Sequence, residues 1–440
     1  MTLKPLDQNE KIPLLANYVP SRVIVRRGDA NITQANFLAD VTQVATKIHS
    51  ASYIVNLCED RYQFLVLFCA TLVSGATNLL PPNKLPATIS ELQTSYSNTQ
   101  VHDDNSLRLL LETPSSSVVA IESPEINAMH IAAIAFTSGS TGQSKPYVKH
   151  WGTLAATARL LGDGLHYDHE PACILATVPS QHMYGLETTI MMPLQANFLL
   201  DSSRPFFPKD IQGRIETNPN PVVLVSSPLH LRALINAELS LPKLRGIICA
   251  TAPLDIELAQ HCELAFGASL HEIYGCTEVG SMALRRTTAT SEWSLLTGFE
   301  LSNAGDGIHA SAPHLNGSFV LQDNLSLTSP AHFLLAGRHT DTINVAGKRT
   351  SLAYLNTQIL RIKGVQDAVV FLPENQQGEV RPAALIVSEL DEKTILTEMA
   401  TQVDAVFLPR PLRKVTALPR NETGKITQAS LQQLWLELQG

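Results

Sequence analysis

Residues 137–146, TSGSTGQSKP, gather the hydroxyls of Thr137, Ser138, Ser140, Thr141 and Ser144, the glycines Gly139 and Gly142, and the cation Lys145. Small residues let a backbone approach a ligand closely and aim several N–H groups at one point. The hydroxyls add donors and the lysine adds a mobile charge, a combination that suits a polyphosphate; a plain Ser/Gly surface turn is the alternative. The stretch is not a P-loop: Lys145 follows Ser144 rather than Gly, and Pro146 stands where a metal-binding hydroxyl should open a helix. A second Gly-Lys pair, Gly424-Lys425 in ETGKIT, fails the same test, because Ile426 takes the hydroxyl position. No G-x-G-x-x-G follows a strand-like run, and there is no G-x-S-x-G elbow.

Apolar runs alternating with helical patterns surround the loop. IAAIAF, CILATVP, PVVLVSSP, LRGIICA and LHEIYG read as strands, and GTLAATARLLGDG, LHLRALINAEL and DIELAQHCELAFG as the helices between them. Strands apolar on both faces, separated by helices, imply a mostly parallel sheet covered on both sides. Ligands bind such sheets at the carboxyl ends of their strands, and the hydroxyl-rich loop follows the run Ile131–Phe136 directly. Nearer the N-terminus, residues 31–50 read as a helix, SYIVNLCED as a short strand, and RYQFLVLFCATLVSGATNLLPP as a helix, a Gly break and a strand. From about residue 340 the runs VQDAVVFLP and RPAALIVSEL, a helix near DEKTILTEMATQV, and RKVTALP describe a small α+β unit.

The chain has 440 residues, 44% of them apolar and 16% charged, so it supports more than one folded domain. With 32 basic and 40 acidic residues its formal charge is −8, which offers no footprint for nucleic acid or an anionic membrane surface. Six cysteines are scattered without a CxxC, arguing against disulfides and zinc. No signal-peptide core and no apolar run of membrane-spanning length is present, so the expectation is a cytoplasmic protein.

Four stretches taken together carry a resemblance. TSGSTGQSKP resembles the phosphate-loop signature of the adenylate-forming superfamily of acyl-CoA synthetases, adenylation domains and luciferases. YGCTE, residues 274–278, looks like its Y-G-x-T-E motif, GRHTDTINVAGKR (337–349) its crossover segment, and PRNETGKIT (419–427) its C-terminal lysine signature. They occur in the family's order and span residues 137–427. Asp323 stands fourteen residues before Gly337, where the family places a ribose-binding Asp, although the context is Leu-Gln-Asp rather than T-G-D. A turn Asp is the alternative there.

The resemblance implies an α/β fold: a large N-terminal domain of mostly parallel sheets covered by helices, residues 1–339, and a small mobile α+β C-terminal domain, residues 340–440, carrying the catalytic lysine. It implies ATP and Mg²⁺ as cofactors and a reaction in which a carboxylate forms an acyl- or aryl-adenylate that a CoA or phosphopantetheine thiol then attacks. Thr137, Ser138, Gly139, Ser140, Thr141, Gly142 and Lys145 would cradle the β- and γ-phosphates. Tyr274 would lie on the adenine beside Gly275, and Thr251, Ala252 and Pro253, in ATAPL, would form the adenine strand, with Thr251 in place of a Gly. Thr277 would touch the α-phosphate and Glu278 would hold the metal. Asp323 and Arg338 would bind ribose. His182 would gate the acyl pocket, and Lys425 would bridge carboxylate and α-phosphate. Cys276, inside YGCTE, reads as packing rather than as a nucleophile.

The chain departs from the family pattern at Thr340, where an Asp usually serves as the domain hinge, and in a shortened N-terminal part. Met183 stands where amino-acid-activating members carry an acidic residue, which favours a plain aryl or fatty acid as substrate. NLCEDRYQFLVLFCATLVSGATNLLPPN resembles the compact ligases of aryl polyene and xanthomonadin-type pigment clusters, whose partner would be an acyl carrier protein. A degenerate nucleotide- or carrier-binding scaffold of the same fold, or an ordinary ATPase, are the other readings.

Overall fold

A computed structural model of the chain describes residues 4–112, 122–137, 145–166, 171–338, 342–345, 348–373, 381–421 and 424–438. The chain divides into two units, residues 1–320 with 329–332, and residues 321–328 with 333–440.

The first unit is α/β, and most of its strands lie in two separate sheets. The smaller runs in the order Thr99–His102, Tyr53–Asn56, Thr77–Leu80, Ile131–Thr137, Lys145–His150. It is parallel as far as Ile131–Thr137 and closes with an antiparallel hairpin in which Ala133 faces Lys149 and Thr137 faces Lys145. The larger runs, within this unit, from Trp293–Leu295 through Gly280–Arg285, Leu270–Cys276, Gly246–Cys249, Val222–Ser226, Cys173–Ala176, Leu199–Asp201 and Val23–Arg27 to Ala30–Thr33. Its centre is parallel and its ends are antiparallel.

The apolar runs form strands for the expected reason. Leu175, Leu224 and Ile247 are buried under a layer that includes Ile211, Leu231, Leu258 and Phe266, the last three on the helices Pro228–Asn236 and Ile256–Phe266. The even rhythm of the sequence suggested one sheet, whereas Ile131–Thr137 and Cys173–Ala176, neighbours in that rhythm, belong to different sheets. The former pairs with Thr77–Leu80 and the latter with Val222–Ser226. The helix expected from residue 31 begins at Gln34, because Ala30–Thr33 first pairs with Val23–Arg27 and Thr33 then caps the helix by accepting from the Asn36 N–H. The antiparallel sheet Glu300–Asn303, Ile308–Ser311, Ser318–Val320 went unread, since its strands are short and largely polar.

The second unit carries the strands Asp323–Ser329 and His332–Arg338, the hairpin Thr342–Val345 with Lys348–Ser351, and a sheet in the order Val365–Phe371, Ala383–Ser388, Leu412–Lys414. Helices Leu352–Arg361 and Glu392–Met399 supply Leu355, Ile359, Ile395 and Met399 to its core. Gln428–Glu437 seats Trp435 on Phe371, ring centroids 5.3 Å apart. This is the small α+β composition expected of the C-terminal region.

Candidate active site

Parallel pairing brings the ends of several strands to one edge of the larger sheet in the first unit. Cys249 pairs with Glu272 and Ser226 with Cys249, so the segments after Val222–Ser226, Gly246–Cys249 and Leu270–Cys276 emerge together. These segments hold His230, Thr251–Pro253 and the YGCTE turn. The segment after Cys173–Ala176, on the neighbouring strand, leads to His182.

The turn after Leu270–Cys276 is closely folded. Leu270–Cys276 pairs antiparallel with Gly280–Arg285, Cys276 opposite Gly280. A Cβ at Gly275 would lie 2.2 Å from the Gly280 carbonyl oxygen, so only glycine permits the approach. Tyr274 is buried against Trp293, ring centroids 5.6 Å apart, and the Arg285 guanidinium lies 4.5 Å over Trp293 while pairing with the buried Glu272. Thr277 and Glu278 are half-buried at the tip. Cys276 beside them is inert as a nucleophile: burial, then the Glu278 charge, push its thiol up to about 12.

Thr251 follows Gly246–Cys249 with φ +84°, a left-handed conformation rare for a β-branched residue. Thr251 therefore adopts the backbone that a glycine would supply at this position, and Ala252 and Pro253 stay exposed.

His182 ends the segment that leaves Cys173–Ala176 and caps the turn Met183–Gly185, which widens into the π-helix Leu186–Met191. Such widened turns recur at functional sites. The segment is held by a residue the sequence did not single out. Arg61, at the start of helix Arg61–Val73 and fully buried, donates to Ser180 Oγ at 3.1 Å and to the Ala176 and Val178 carbonyls at 3.0 Å each. The Tyr184 hydroxyl lies 3.0 and 2.9 Å from the Ser226 and Ile248 carbonyls, tying the helix after His182 to the adjacent strand ends.

His230 was also unread. Its Nδ1 lies 3.0 Å from Thr177 Oγ1 and 3.1 Å from Ser227 Oγ, and Phe206 meets its ring edge-on at 5.6 Å. Burial, then the Arg204 charge, lower it to about 4, so it is neutral at neutral pH. Its only sequence signal was its place two residues after a Pro that follows a strand.

Lys145 is exposed on the hairpin of the smaller sheet, opposite Thr137. Ser138, Gly139, Ser140, Thr141 and Gly142 lie outside the described residues, as do the Thr137 and Arg338 side chains and all of Thr340. Asp323 and Lys425 belong to the second unit. Asp323 opens the strand Asp323–Ser329 and is half-buried. Lys425 is exposed on a turn closed by the Asn421 N–H to the Lys425 carbonyl (2.8 Å) and the Lys425 N–H to Asn421 Oδ1 (2.9 Å). Arg420, held by two bonds to Asp367, anchors that turn by donating to the Gly424 carbonyl at 2.6 Å.

The donor set fits a metal-bound nucleotide: a carboxylate and hydroxyl on a rigid turn, an aromatic residue beside them, and a lysine on the hairpin that carries the hydroxyl-rich loop. Among the described residues no cluster of His, Cys, Asp and Glu could hold a metal by itself, and no helix is long and apolar enough to cross a membrane. All six cysteines are free thiols.

Residues 22–304 match the family described as AMP-binding enzyme, and the chain belongs to that family and to the adenylate-forming superfamily. A 4-coumarate–CoA ligase of Rhodobacter capsulatus is 29% identical over 301 residues, 67% of this chain and 74% of that protein. A 3,4-dihydroxybenzoate–[aryl-carrier protein] ligase of Bacillus anthracis is 22% identical over 332 residues, 73% of this chain and 79% of that protein. Among solved structures, ATP-bound MatB from Rhodopseudomonas palustris superposes with a TM-score of 0.81 at 18% identity, covering 96% of this chain and 97% of that one. The O-succinylbenzoate CoA synthetase of Bacillus subtilis, in complex with ATP and magnesium ion, superposes with a TM-score of 0.79 at 17% identity, covering 94% and 97%. At these identities the structural neighbours establish the fold alone.

Proposed function

We propose that this protein is an AMP-forming acid–thiol ligase that activates a small carboxylic acid with ATP and transfers the acyl group to a phosphopantetheine thiol. The observation that carries the proposal is the edge of the larger sheet, where the Thr277–Glu278 turn, the Thr251 segment and the His182 segment emerge side by side. The roles follow from the chemistry. A carboxylate oxygen attacks the α-phosphorus, the bond from that phosphorus to the bridging oxygen breaks, and pyrophosphate leaves. Two anions must approach, so fixed cations and donors are needed where charge develops. Lys145 and the hydroxyl-rich loop hold the β- and γ-phosphates, Thr277 donates to the α-phosphate, and Tyr274 lies against the adenine. Asp323 and Arg338 take the ribose. Glu278 would help hold Mg²⁺, whose charge neutralises the phosphate oxygens. Lys425 bridges the attacking carboxylate and the α-phosphate. In the second half the thiolate attacks the acyl carbon and AMP leaves with the bonding pair. The C-terminal region, 340–440, moves between the two halves, with its pivot near Thr340.

An aryl acid is the favoured substrate. Met183 offers no carboxylate to an α-ammonium, and Thr177, on the segment leading to His182, lies 3.0 Å from His230, whose ring meets Phe206. The 4-coumarate and 3,4-dihydroxybenzoate ligases among the relatives support the same class. The aryl-carrier ligase supports a carrier-bound acceptor, and the CoA ligases support CoA.

The test is acid-dependent ATP–pyrophosphate exchange over benzoates, cinnamates and fatty acids, followed by thioester assay with CoA and with phosphopantetheinylated carrier protein. Exchange with aryl acids and AMP as product are the expected results. ATP binding without exchange for any acid would leave the degenerate scaffold in its place, and release of ADP would leave the ATPase.

A further inference from the structure

Of the charged residues buried in the first unit, two hold the ends of the YGCTE turn without belonging to the machinery described above. Lys149 is 2% exposed and Glu187 is 2% exposed. Burying either ion costs several kcal/mol unless partners compensate, so what each one touches is informative. Lys149 lies on Lys145–His150, the strand leaving the hydroxyl-rich loop, and its Nζ donates to the Glu278 backbone carbonyl at 2.8 Å. Glu187 lies on the π-helix that follows His182 and accepts from the Ser281 N–H at 3.1 Å and from the Ser281 hydroxyl. Burial raises the Glu187 carboxyl, and the Ser281 bonds and then the Lys149 charge offset part of that rise. Gly280 between them has φ +90°, and a Cβ there would lie 2.5 Å from Glu187 Oε1. The two ends of the turn are thus fixed from below, one by an ammonium and one by a carboxylate.

We propose that Lys149 and Glu187 are a positioning pair: they fix the backbone of the Thr277–Glu278 turn so that the Glu278 carboxylate is set for the metal-bound nucleotide, and they couple that turn to the phosphate-loop hairpin and the gate helix. The proposal rests on the reading of Glu278 as the metal-binding carboxylate. Its physical basis is that a carbonyl held inward fixes the peptide plane leaving its residue, and with it the ψ of that residue, which narrows the directions its Cα–Cβ bond can take. Lys149 joins the smaller sheet to this turn by a charged side chain, and it does so at the residue whose side chain needs aiming.

The experiment compares Lys149→Met, Lys149→Arg, Glu187→Gln and Glu278→Gln in the full-length protein. Far-ultraviolet circular dichroism and melting curves report the fold. Acid-dependent pyrophosphate exchange is titrated with Mg²⁺, and ATP affinity is measured with Mg²⁺ and with EDTA. Lys149→Met and Glu187→Gln are expected to lower the exchange kcat about tenfold or more and to raise the Mg²⁺ half-saturation at least fivefold. ATP affinity in EDTA should stay within about twofold, and Lys149→Arg, which keeps charge and donor, should restore most of the Mg²⁺ response. An unchanged Mg²⁺ half-saturation in Lys149→Met or Glu187→Gln, whatever the melting temperature, overturns the pair. If Lys149→Met does not fold, the near-isosteric Glu187→Gln decides alone. Glu278→Gln separates the two ideas: a wild-type Mg²⁺ response in that variant removes the metal-binding role itself. A shifted response there, beside wild-type Lys149 and Glu187 variants, removes only the positioning.

Discussion

Two lysine- and carboxylate-bearing turns of this molecule are built in opposite ways. The turn carrying Thr277 and Glu278 sits over a buried lysine and a buried glutamate, closed by two glycines in tight contacts. The turn carrying Lys425 lies at the surface, held by its own backbone, by Asn421 and by Arg420. Rigid burial suits groups that must stand ready as charge develops on a bound nucleotide, because they need no reorganisation at the moment of reaction. An exposed turn with a long side chain suits a group that enters for one half of a reaction and leaves for the other. The first unit fixes its turn with fully buried charges; the second holds the Lys425 turn with the half-buried Arg420–Asp367 pair and leaves Lys425 itself at the surface.

Substitutions can break that contrast. Lys425→Ala should cost the largest factor, on the order of 10²–10³ in adenylation. Its melting temperature and ATP affinity should be those of the wild type, since the side chain is exposed; pyrophosphate exchange and calorimetry check both. Gly280→Ala tests the other turn. A Cβ at φ +90° beside Glu187 should cost about 1–2 kcal/mol from the backbone alone. Exchange should fall together with thermal stability, unlike the Lys425 variant. Arg420→Met sharpens the comparison from within the second unit. It leaves Asp367 unpaired and frees the Gly424 carbonyl, which should cost about 1–3 kcal/mol. Adenylation should drop less than for Lys425→Ala, because Asn421 still closes the turn. Thr340→Pro should spare exchange and slow thioester formation, by stiffening φ at the expected pivot; equal loss of both steps would place the pivot elsewhere.

The smallest effect belongs to Cys276. Its thiol is raised to about 12 from an ordinary 9.0, so almost no thiolate exists at pH 8. The sign is that alkylation by iodoacetamide should be slow at neutral pH and still climb about tenfold per pH unit above pH 9, where an ordinary thiol levels off. Cys276→Ala should keep adenylation within about threefold.

The strands of the larger sheet were legible because both faces of each are covered, which leaves an uninterrupted apolar run such as CILA or VVLVS. Which sheet each run joins was not, because that choice is made by partners far along the chain: Leu79 with Ile134, Cys173 with Val222. The proposed site was legible where it rests on short motifs of unusual composition, Tyr274–Glu278 in the first unit and Gly424–Lys425 in the second. It was illegible where function is exerted from beneath. Lys149 follows Val148, and a polar–apolar pair on a strand would be read with the valine inside. The reverse holds, with Val148 48% exposed and Lys149 buried. Arg61 was hidden in the same way, in the polar first turn of a helix that is otherwise mostly apolar. His230 was passed over because one histidine in an apolar helix says nothing of the hydroxyls around it.

The Lys149 bond to the Glu278 carbonyl also bears on how the first unit opens. A single buried ammonium spans from the hairpin of one sheet to the turn that follows a strand of the other, so displacing either strand leaves that ion buried without its acceptor until water reaches it. Amide hydrogens of Lys145–His150 and of Leu270–Cys276 should therefore exchange with solvent as one cooperative block, with the same opening free energy, although the two strands share no backbone pairing.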